Sequence, residues 1–191
     1  AFYAGELAQD MVDYLQSLGG LHTMEDFSKS IGNYVKPIST EFRGHTVWEC
    51  PPNGQGIIAL LLLNIMSGFK TDGIDPISAE RLHQEIEAGR LAYQDRNVFV
   101  ADPAGAEVPI EFLLSHAHAE DLRSHIDQNK GMDPLPPVSL PKHEDTVYIT
   151  VVDKDRNACS FINTLFHNFG AGLMAPKSGV TFTNRAQGFV I

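Results

Sequence analysis

The sequence is poor in basic residues and in cysteine. Its 191 residues contain 14 Lys and Arg against 24 Asp and Glu, which gives a net charge of −10. Nucleic acids and anionic membrane surfaces select proteins with basic patches that displace counterions, so we expect neither as a partner. The two cysteines, Cys50 and Cys159, are too few for a disulfide framework and lack metal-site spacing, which leaves the cellular compartment open.

Motifs for cofactors, metals and membrane spans are also missing. The longest apolar run covers residues 57–63. It is far shorter than the ~20 residues that cross a bilayer, so no membrane segment is expected here. The sequence has no phosphate-binding loop, dinucleotide fingerprint or zinc-protease motif, and we expect no cofactor. On a helix, His116 and His118 would point in different directions, which favours surface histidines over a metal site.

What remains is an ordinary globular composition. Hydrophobic residues make up 43% of the chain and charged residues 20%, which is enough to bury a core. The sequence begins at Ala1 without an initiator Met and ends within the apolar residues 188–191. We therefore interpret it as an internal piece of a longer protein.

Helical periodicity dominates the first three-quarters of the chain. Apolar residues at helical spacing over 7–18 stop at Gly19, which predicts a helix with a glycine end. Thr23 followed by Asp26 predicts the capped start of a short helical turn. Further helices are predicted over 57–66, over about 78–96 and, as one or two helices, over 109–126, with one strand over 46–50.

Two helices carry more detailed expectations. The helix over 78–96 is predicted to turn Leu82, Ile86 and Leu91 inward. Its charged residues are interpreted as a solvated face, namely Glu85, Glu87, Asp95, Arg90 and Arg96. The glycines before the helix over 57–66, Gly54 and Gly56, are interpreted as a tight turn that allows close packing.

The composition changes near residue 131. Four prolines fall within residues 131–141, which is typical of an extended, exposed linker. Alternating residues then predict a buried strand over 146–152, a turn over 153–157, a returning strand over 158–165 and a third strand over 179–183. The predicted fold class is α+β, with a mostly helical region, a linker and then strands.

Thr146 stands at the junction between linker and strand, directly after the acidic residues 143–145. A threonine hydroxyl is a weak nucleophile unless a base removes its proton. A threonine at a new N-terminus can use its own α-amine as that base. Cleavage of the linker just before Thr146 would create such an N-terminus; the alternative is that Thr146 is an ordinary strand residue.

The order and spacing of short motifs over nearly the whole chain resemble the γ-glutamyltranspeptidase family, threonine-dependent members of the N-terminal-nucleophile hydrolases. The matching residues are Phe2-Tyr3-x-Gly5-x-x-Ala8, Gly19-Gly20-x-x-Thr23-x-x-Asp26-Phe27, Pro51-Pro52-x-Gly54-x-Gly56, Leu63-Asn64-Ile65, Ala92-Tyr93-x-Asp95-Arg96, Asp145-Thr146, Val151-Val152-Asp153, Asn157-Ala158, Thr164, Phe169-Gly170-x-Gly172, Gly179 and Asn184. Each motif is weak alone, and their common order makes the match specific.

The resemblance implies a fold and a processing event. The expected fold is a fragment of the four-layer αββα sandwich of the N-terminal-nucleophile hydrolases. Family members cut themselves before a threonine, and Thr146 stands at that position. Residues 1–145 would then be the end of a large subunit and 146–191 the start of a small one, with the remainder of the same chain as partner.

The resemblance also implies roles for site residues. Thr146 would attack an amide carbonyl to form an acyl-enzyme, which water or an acceptor amine resolves. Thr164 matches a threonine that hydrogen-bonds the nucleophile, and strand alternation places both hydroxyls on one face; a purely structural cross-strand role is the alternative. Other parts of the family's site lie outside the sequence, so the piece alone is expected to be inactive.

Departures from the family pattern concern the substrate. Where γ-glutamyl enzymes carry Asn, Gln and Asp, this sequence has Phe166, Arg185 and Gly188. Losing the Asp removes a partner for an ammonium group, and gaining Arg185 adds a bidentate carboxylate binder. Among the γ-glutamyl or glutaryl-type amides that the resemblance implies, we therefore expect a preference for acyl groups with a terminal carboxylate and no α-amine, such as glutaryl or adipyl. Arg185 as a structural ion-pair residue is the alternative.

The pair of Asn184 and Arg185, with the start Asp145-Thr146-Val147-Tyr148, resembles the cephalosporin-acylase-like branch of the family. Phe166, Asn184 and Arg185 are accordingly the expected substrate-binding residues. The same departures allow a second reading, in which the protein is an unprocessed, catalytically degenerate relative that acts as a binding or structural protein.

Overall fold

The computed structural model describes residues 2–133 and 146–188 and mixes helix with strand. Helices α1 to α6 span Glu6–Ser17, Met24–Lys29, Gly56–Met66, Ala79–Phe99, Ile110–Leu113 and His116–Ser124. Strands β1 to β4 span Ile38–Phe42, His45–Glu49, Val147–Val152 and Ala158–Asn163, and a 3₁₀ helix spans Arg185–Gly188. These residues form two compact units, one within 1–32 and 138–191 and the other within 33–137.

Part of the predicted linker falls outside this description. Residues 134–145, with all four of its prolines and the acidic stretch 143–145, lie outside the described residues. The predicted division into 1–145 and 146–191 concerns a cut in the chain rather than a compact unit, and it stays a prediction.

In the first unit, the end of α1 and the start of α2 lie where the sequence predicts them. In α1, Met11 and Val12 are buried, and Gly19 just past its end has a φ of 87°. In α2, Thr23 Oγ1 accepts the N–H of Asp26 at 3.4 Å, and the Asp26 carboxylate accepts the N–H of Thr23 at 2.8 Å. This reciprocal pair confirms the predicted cap, because it satisfies two backbone donors that a helix start leaves free.

A buried carboxylate joins α1 to a later part of the same unit. Asp10 Oδ2 accepts the backbone N–H of Ser178 at 2.8 Å and that of Lys177 at 3.2 Å. Burial alone would raise the pKa of Asp10, but the hydrogen bonds from Ser178 and Lys177 outweigh it and hold the pKa below its usual range. The stability from this contact is therefore present at neutral pH and is lost as the pH falls through that lowered pKa.

The core of the second unit surrounds α3. Ile57, Leu61 and Ile65 are fully buried, as expected for a helix that is apolar on most sides. A Cβ on Gly56 would lie 2.7 Å from Glu49 Cβ. Glycine at this position thus lets the end of β2 approach the start of α3, which confirms the close-packing interpretation for Gly56. A Cβ on Gly54 would make only an ordinary contact, 3.7 Å from Pro51 O. Strand β1, which no sequence pattern predicted, pairs with β2 in an antiparallel hairpin.

Helix α4 is present, but its inner face differs from the prediction. Leu91 is buried, whereas Leu82 and Ile86 are 43% and 59% exposed, so the prediction is wrong at both. The buried positions beside Leu91 are Ala88 and Ala92. Alanine at these positions lets α4 approach the bulky residues of α3. Large apolar side chains alone do not indicate the inner face of α4, because they do not reveal this close contact between helices.

The charged face of α4 is not fully solvated. Glu87 and Asp95 are 4% and 8% exposed, so the interpretation is wrong for both. Asp95 Oδ2 lies 2.6 Å from His118 Nε2, and Glu87 Oε1 accepts from Arg90 at 2.8 Å. Buried carboxylates are tolerated when such partners hold them. His118 is therefore not the surface histidine predicted, whereas His116 is exposed.

Strands β3 and β4 form the predicted antiparallel hairpin. Their register runs from Val147 opposite Asn163 to Val152 opposite Ala158. All six residues of each strand are exposed, so the predicted burial of the first strand is wrong for the described chain. Apolar alternation indicates a strand, but burial also needs a layer that covers it.

The third predicted strand, over 179–183, is also wrong. Among the described residues, this region makes an isolated bridge between Met174 and Thr181. Its backbone is instead tied to the loop after β4, because Ala171 N–H donates to Phe182 O at 2.9 Å. Gly170 beside it has a φ of 55°, and a Cβ there would lie 2.1 Å from Phe182 O.

Gly170→Ala is expected to destabilise the protein strongly. The added methyl group must displace a backbone carbonyl and the residue must keep a positive φ, which together cost about 3 kcal/mol of unfolding free energy. Gly172→Ala is the matched control, since Gly172 also has a positive φ of 69° but no neighbour within 4 Å. Urea unfolding of the full-length protein measures both, and equal losses would contradict the close-contact explanation.

Candidate active site

Thr146 and Thr164 face each other at the end of the β3–β4 hairpin. Thr146 directly precedes β3, Thr164 directly follows β4, and the adjacent pair Val147 and Asn163 sets the register. The two Oγ1 atoms are 3.2 Å apart. Alternation along the strands predicted this shared face, and antiparallel pairing brings the hydroxyls within hydrogen-bonding distance.

The backbone that follows holds Thr164 in place. Thr164 Oγ1 also accepts the N–H of Phe166 at 2.9 Å. Phe166 has a φ of 80° although it is not glycine, and its ring is buried. A bulky residue keeps such a conformation only when its surroundings enforce it. The Thr164 hydroxyl is one of those surroundings.

The guanidinium group of Arg185 lies over the aromatic ring of Phe166. The guanidinium carbon lies 4.9 Å from the centre of the Phe166 ring, a cation–π distance. Arg185 opens the 3₁₀ helix, and its side chain is exposed. Within residues 2–133 and 146–188 it forms no salt bridge, so the ion-pair alternative finds no partner in that part of the chain.

The amide of Asn184 is used within the protein. Its Oδ1 accepts the N–H of His167 at 3.1 Å, and its Nδ2 donates to His167 Nδ1 at 3.0 Å and to Gln187 Oε1 at 3.1 Å. Asn184 therefore braces the loop that carries Phe166. Because the amide nitrogen donates to Nδ1, the proton of a neutral His167 ring sits on Nε2, which is buried and has no partner among the described residues.

An open cavity of about 680 Å³ lies beside the two threonines. Its lining comprises Thr146, Val147, Ile149, Phe161, Asn163, Thr164, Leu165, His167, Asn168 and Phe169. The predicted nucleophile pair is thus brought together at this cavity. The other predicted residues, Phe166, Asn184 and Arg185, form an adjoining cluster outside the lining. His167 was missed, because a lone histidine in a loop carries no sequence signal of its own.

The described residues give no group of three or more His, Cys, Asp or Glu side chains that could hold a metal. Across the same ranges, every helix is too short or too polar to cross a membrane.

The comparisons with known proteins agree on one family. The gamma-glutamyltranspeptidase family matches residues 1–191. The glutathione hydrolase-like YwrD proenzyme of Bacillus subtilis is 38% identical over 99% of this chain and 35% of its own. The Acylase ACY 1 proenzyme of Pseudomonas sp. strain SE83 is 30% identical, over 99% of this chain and 34% of its own.

Solved structures give the same result. Cephalosporin acylase from Bacillus halodurans matches 98% of this chain and 33% of its own, with 37% identity and a TM-score of 0.86. Helicobacter pylori γ-glutamyltranspeptidase covers 69% of this chain and 38% of its own, with 26% identity and a TM-score of 0.65. These are enzymes of the γ-glutamyltranspeptidase and acylase class.

The chain belongs to the γ-glutamyltranspeptidase family. This confirms the resemblance predicted from the sequence, including its likeness to cephalosporin acylases. The chain spans about a third of the length of the curated relatives it matches.

Proposed function

We propose that this chain is part of a γ-glutamyltranspeptidase-like amidohydrolase or acyltransferase that cuts itself before Thr146. The observation that carries the proposal is the 3.2 Å separation between the hydroxyls of Thr146 and Thr164 beside an open cavity. It is supported by membership in a family whose curated relatives are named proenzymes. An exposed threonine opposite a second, fixed hydroxyl suits an N-terminal nucleophile.

Processing would start with Thr146 attacking the carbonyl of the residue before it. The C–N bond breaks as the C–O bond forms, which transfers the acyl group from nitrogen to oxygen and frees the α-amine. Water then hydrolyses the ester, leaving a carboxylate on residue 145 and a hydroxyl on Thr146. The product is the N-terminal threonine that the later reaction needs.

Turnover would use the same atoms again. Thr146 Oγ1 attacks the substrate amide, its α-amine accepts the hydroxyl proton, and that proton passes to the leaving amine. The acyl-enzyme is then resolved by water or by an acceptor amine. Backbone N–H donors must stabilise the oxyanion; we expect them from the remainder of the protein.

Thr164 would orient the nucleophile. Its Oγ1 is held by the N–H of Phe166 and lies opposite Thr146 Oγ1, so it restricts the position of the attacking oxygen. We expect Thr164→Val in the full-length protein to lower kcat about tenfold, the value of one neutral hydrogen bond. Thr164→Ser keeps the hydroxyl and should stay near wild type. Equal kcat for the Val and Ser variants would support the purely structural alternative.

Arg185 and Phe166 are the proposed substrate-recognition elements. The aromatic platform limits the positions of the guanidinium, and an exposed, oriented guanidinium suits a carboxylate. The acyl group would then carry a terminal carboxylate, as γ-glutamyl and glutaryl groups do. Asn184 would contribute by bracing the adjacent loop through His167 rather than by contacting the substrate.

The remainder of the chain would complete the architecture. Both faces of the β3–β4 hairpin are exposed, including the large side chains of Val147, Ile149 and Phe161. This supports a larger sheet assembly, and we propose the four-layer αββα sandwich, with residues 1–145 ending a large subunit and 146–191 beginning a small one.

Denaturing mass spectrometry of the full-length protein tests the proposal. Two chains are expected, with masses adding up to the uncut chain plus one water, and the smaller chain should begin at Thr146. Brief mixing with a glutaryl amide should add an acyl group to that smaller chain only. One uncut chain with no adduct would instead support the degenerate binding protein, the alternative that the unusual residues Phe166 and Arg185 keep open.

A further inference from the structure

Helix α4 holds the chain segment that follows α6. Near its start, His83 Nε2 lies 2.8 Å from Asp127 O, and Gln84 Nε2 donates to Gln128 Oε1 at 3.0 Å. Farther along α4, Glu87 and Arg90 contact residues 132–133, where the described part of the segment ends. The polar face of α4 therefore serves as a binding surface for residues 127–133.

The contacts of Glu87 and Arg90 are directed at backbone atoms. Glu87 Oε2 accepts the N–H of Met132 at 2.8 Å, and Arg90 donates to Met132 O at 3.2 Å and to Asp133 O at 2.9 Å. The N–H and the carbonyl of Met132 are thus both bound. Such contacts fix the path of the chain whatever the side chains of the segment are. We refer to Glu87 and Arg90 as the α4 clamp.

The clamp is a preorganised charged pair. Glu87 Oε1 accepts from Arg90 at 2.8 Å, and their side chains are only 5% and 29% exposed. Burial alone would raise the pKa of Glu87, but the Met132 N–H and the Arg90 guanidinium outweigh it and leave the pKa below its usual range. The carboxylate is therefore charged at neutral pH, and the strong, charge-assisted form of each contact is present.

The residues that the clamp holds lie shortly before Thr146 in the sequence. Asp133 is followed by twelve residues, 134–145, and then by Thr146. The clamp thus fixes one end of the segment that leads to the proposed cleavage bond. We propose that Glu87 and Arg90 are positioning residues for self-cleavage before Thr146, which rests on the proposed function.

The expected change in the rate of processing distinguishes a positioning role from a simple tether. If the clamp is released, the last described contact of the segment with α4 is the one at Gln128, and the number of residues between that contact and Thr146 grows from twelve to seventeen. For a flexible loop, such a change in length would slow cleavage by less than about twofold. Fixing the direction of the chain as well as its end point should matter more, and we expect about tenfold slower processing without the clamp.

The test follows the processing of newly made full-length protein by denaturing mass spectrometry. Glu87→Gln is expected to slow the appearance of the two chains about tenfold. The turnover of the molecules that have been processed should stay within about twofold of wild type. Glu85→Gln is the matched control, because Glu85 pairs with Arg81 on the same helix and makes no described contact with residues 127–133.

A second variant guards against a folding defect. Arg90→Lys keeps the charge beside Glu87 but cannot reach both carbonyls, so it should slow processing to an intermediate degree, with an unchanged urea midpoint. Processing of both clamp variants within about twofold of wild type would overturn the proposal while leaving self-cleavage intact. So would a fall in turnover equal to the fall in processing. Absence of cleavage in the wild type would instead refute the proposed function.

Discussion

Thr146→Ala in the full-length protein is expected to give one uncut chain with no measurable amide turnover. The substitution removes the oxygen that would attack both the chain and the substrate, and it leaves the backbone of the strand unchanged. Loss of a catalytic nucleophile costs on the order of 10⁶-fold in kcat. Denaturing mass spectrometry and an amide-hydrolysis assay on the same preparation measure the two losses together.

Two further variants make the result specific to the Thr146 oxygen. Thr146→Ser keeps a hydroxyl and should still be processed, at a reduced rate. Thr150→Ala is the matched control, because Thr150 lies on the same face of β3 but pairs with Ser160, away from Thr164. Processing of the Thr146→Ala protein at the wild-type position would show that Thr146 is an ordinary strand residue.

Arg185→Ala is expected to lower kcat/KM for a glutaryl amide about 100-fold. A bidentate contact between guanidinium and carboxylate contributes roughly 2–3 kcal/mol. Arg185→Lys should recover only part of this, since an ammonium lacks the planar pair of donors. Steady-state kinetics of the processed full-length enzyme gives the measurement, with a glutaryl amide, a γ-glutamyl amide and an amide without a terminal carboxylate compared.

The comparison between substrates separates recognition from structural support. Lys154→Ala is the control, because Lys154 is an exposed cation in the β3–β4 turn and its removal changes the charge equally. A specific role predicts a loss with Arg185→Ala only, and a smaller loss for an amide that lacks the terminal carboxylate. Equal losses for amides with and without that carboxylate would favour a structural role for Arg185.

Local features of the fold were predictable because their causes are local. The cap at Thr23, the end of α1 at Gly19 and the two strands around residues 153–157 each depend on neighbours within a few residues. The juxtaposition of Thr146 and Thr164 belongs with them. Two-residue alternation and one short turn determine which side chains of a hairpin share a face.

Burial could not be predicted in the same way. Asp95 meets His118, 23 residues farther along, and Glu87 meets Met132, 45 residues farther along. A sequence reading that pairs charges with near neighbours leaves these carboxylates in water. The prediction that Leu82 and Ile86 face inward is wrong for the same reason, because no nearby residue indicates that α3 packs against Ala88 and Ala92.

The sequence by itself determined the family, most of the helices, the β3–β4 hairpin and the alternation that places two threonine hydroxyls together. These follow from motif order and from the periods of helix and strand, which a linear reading contains. Only the tertiary structure decided that Arg185 lies on Phe166, that Asn184 braces His167 and that the α4 clamp holds residues 132–133. Each of these contacts joins residues that only the folded backbone brings within a few ångströms, with partners that propensity and spacing do not specify.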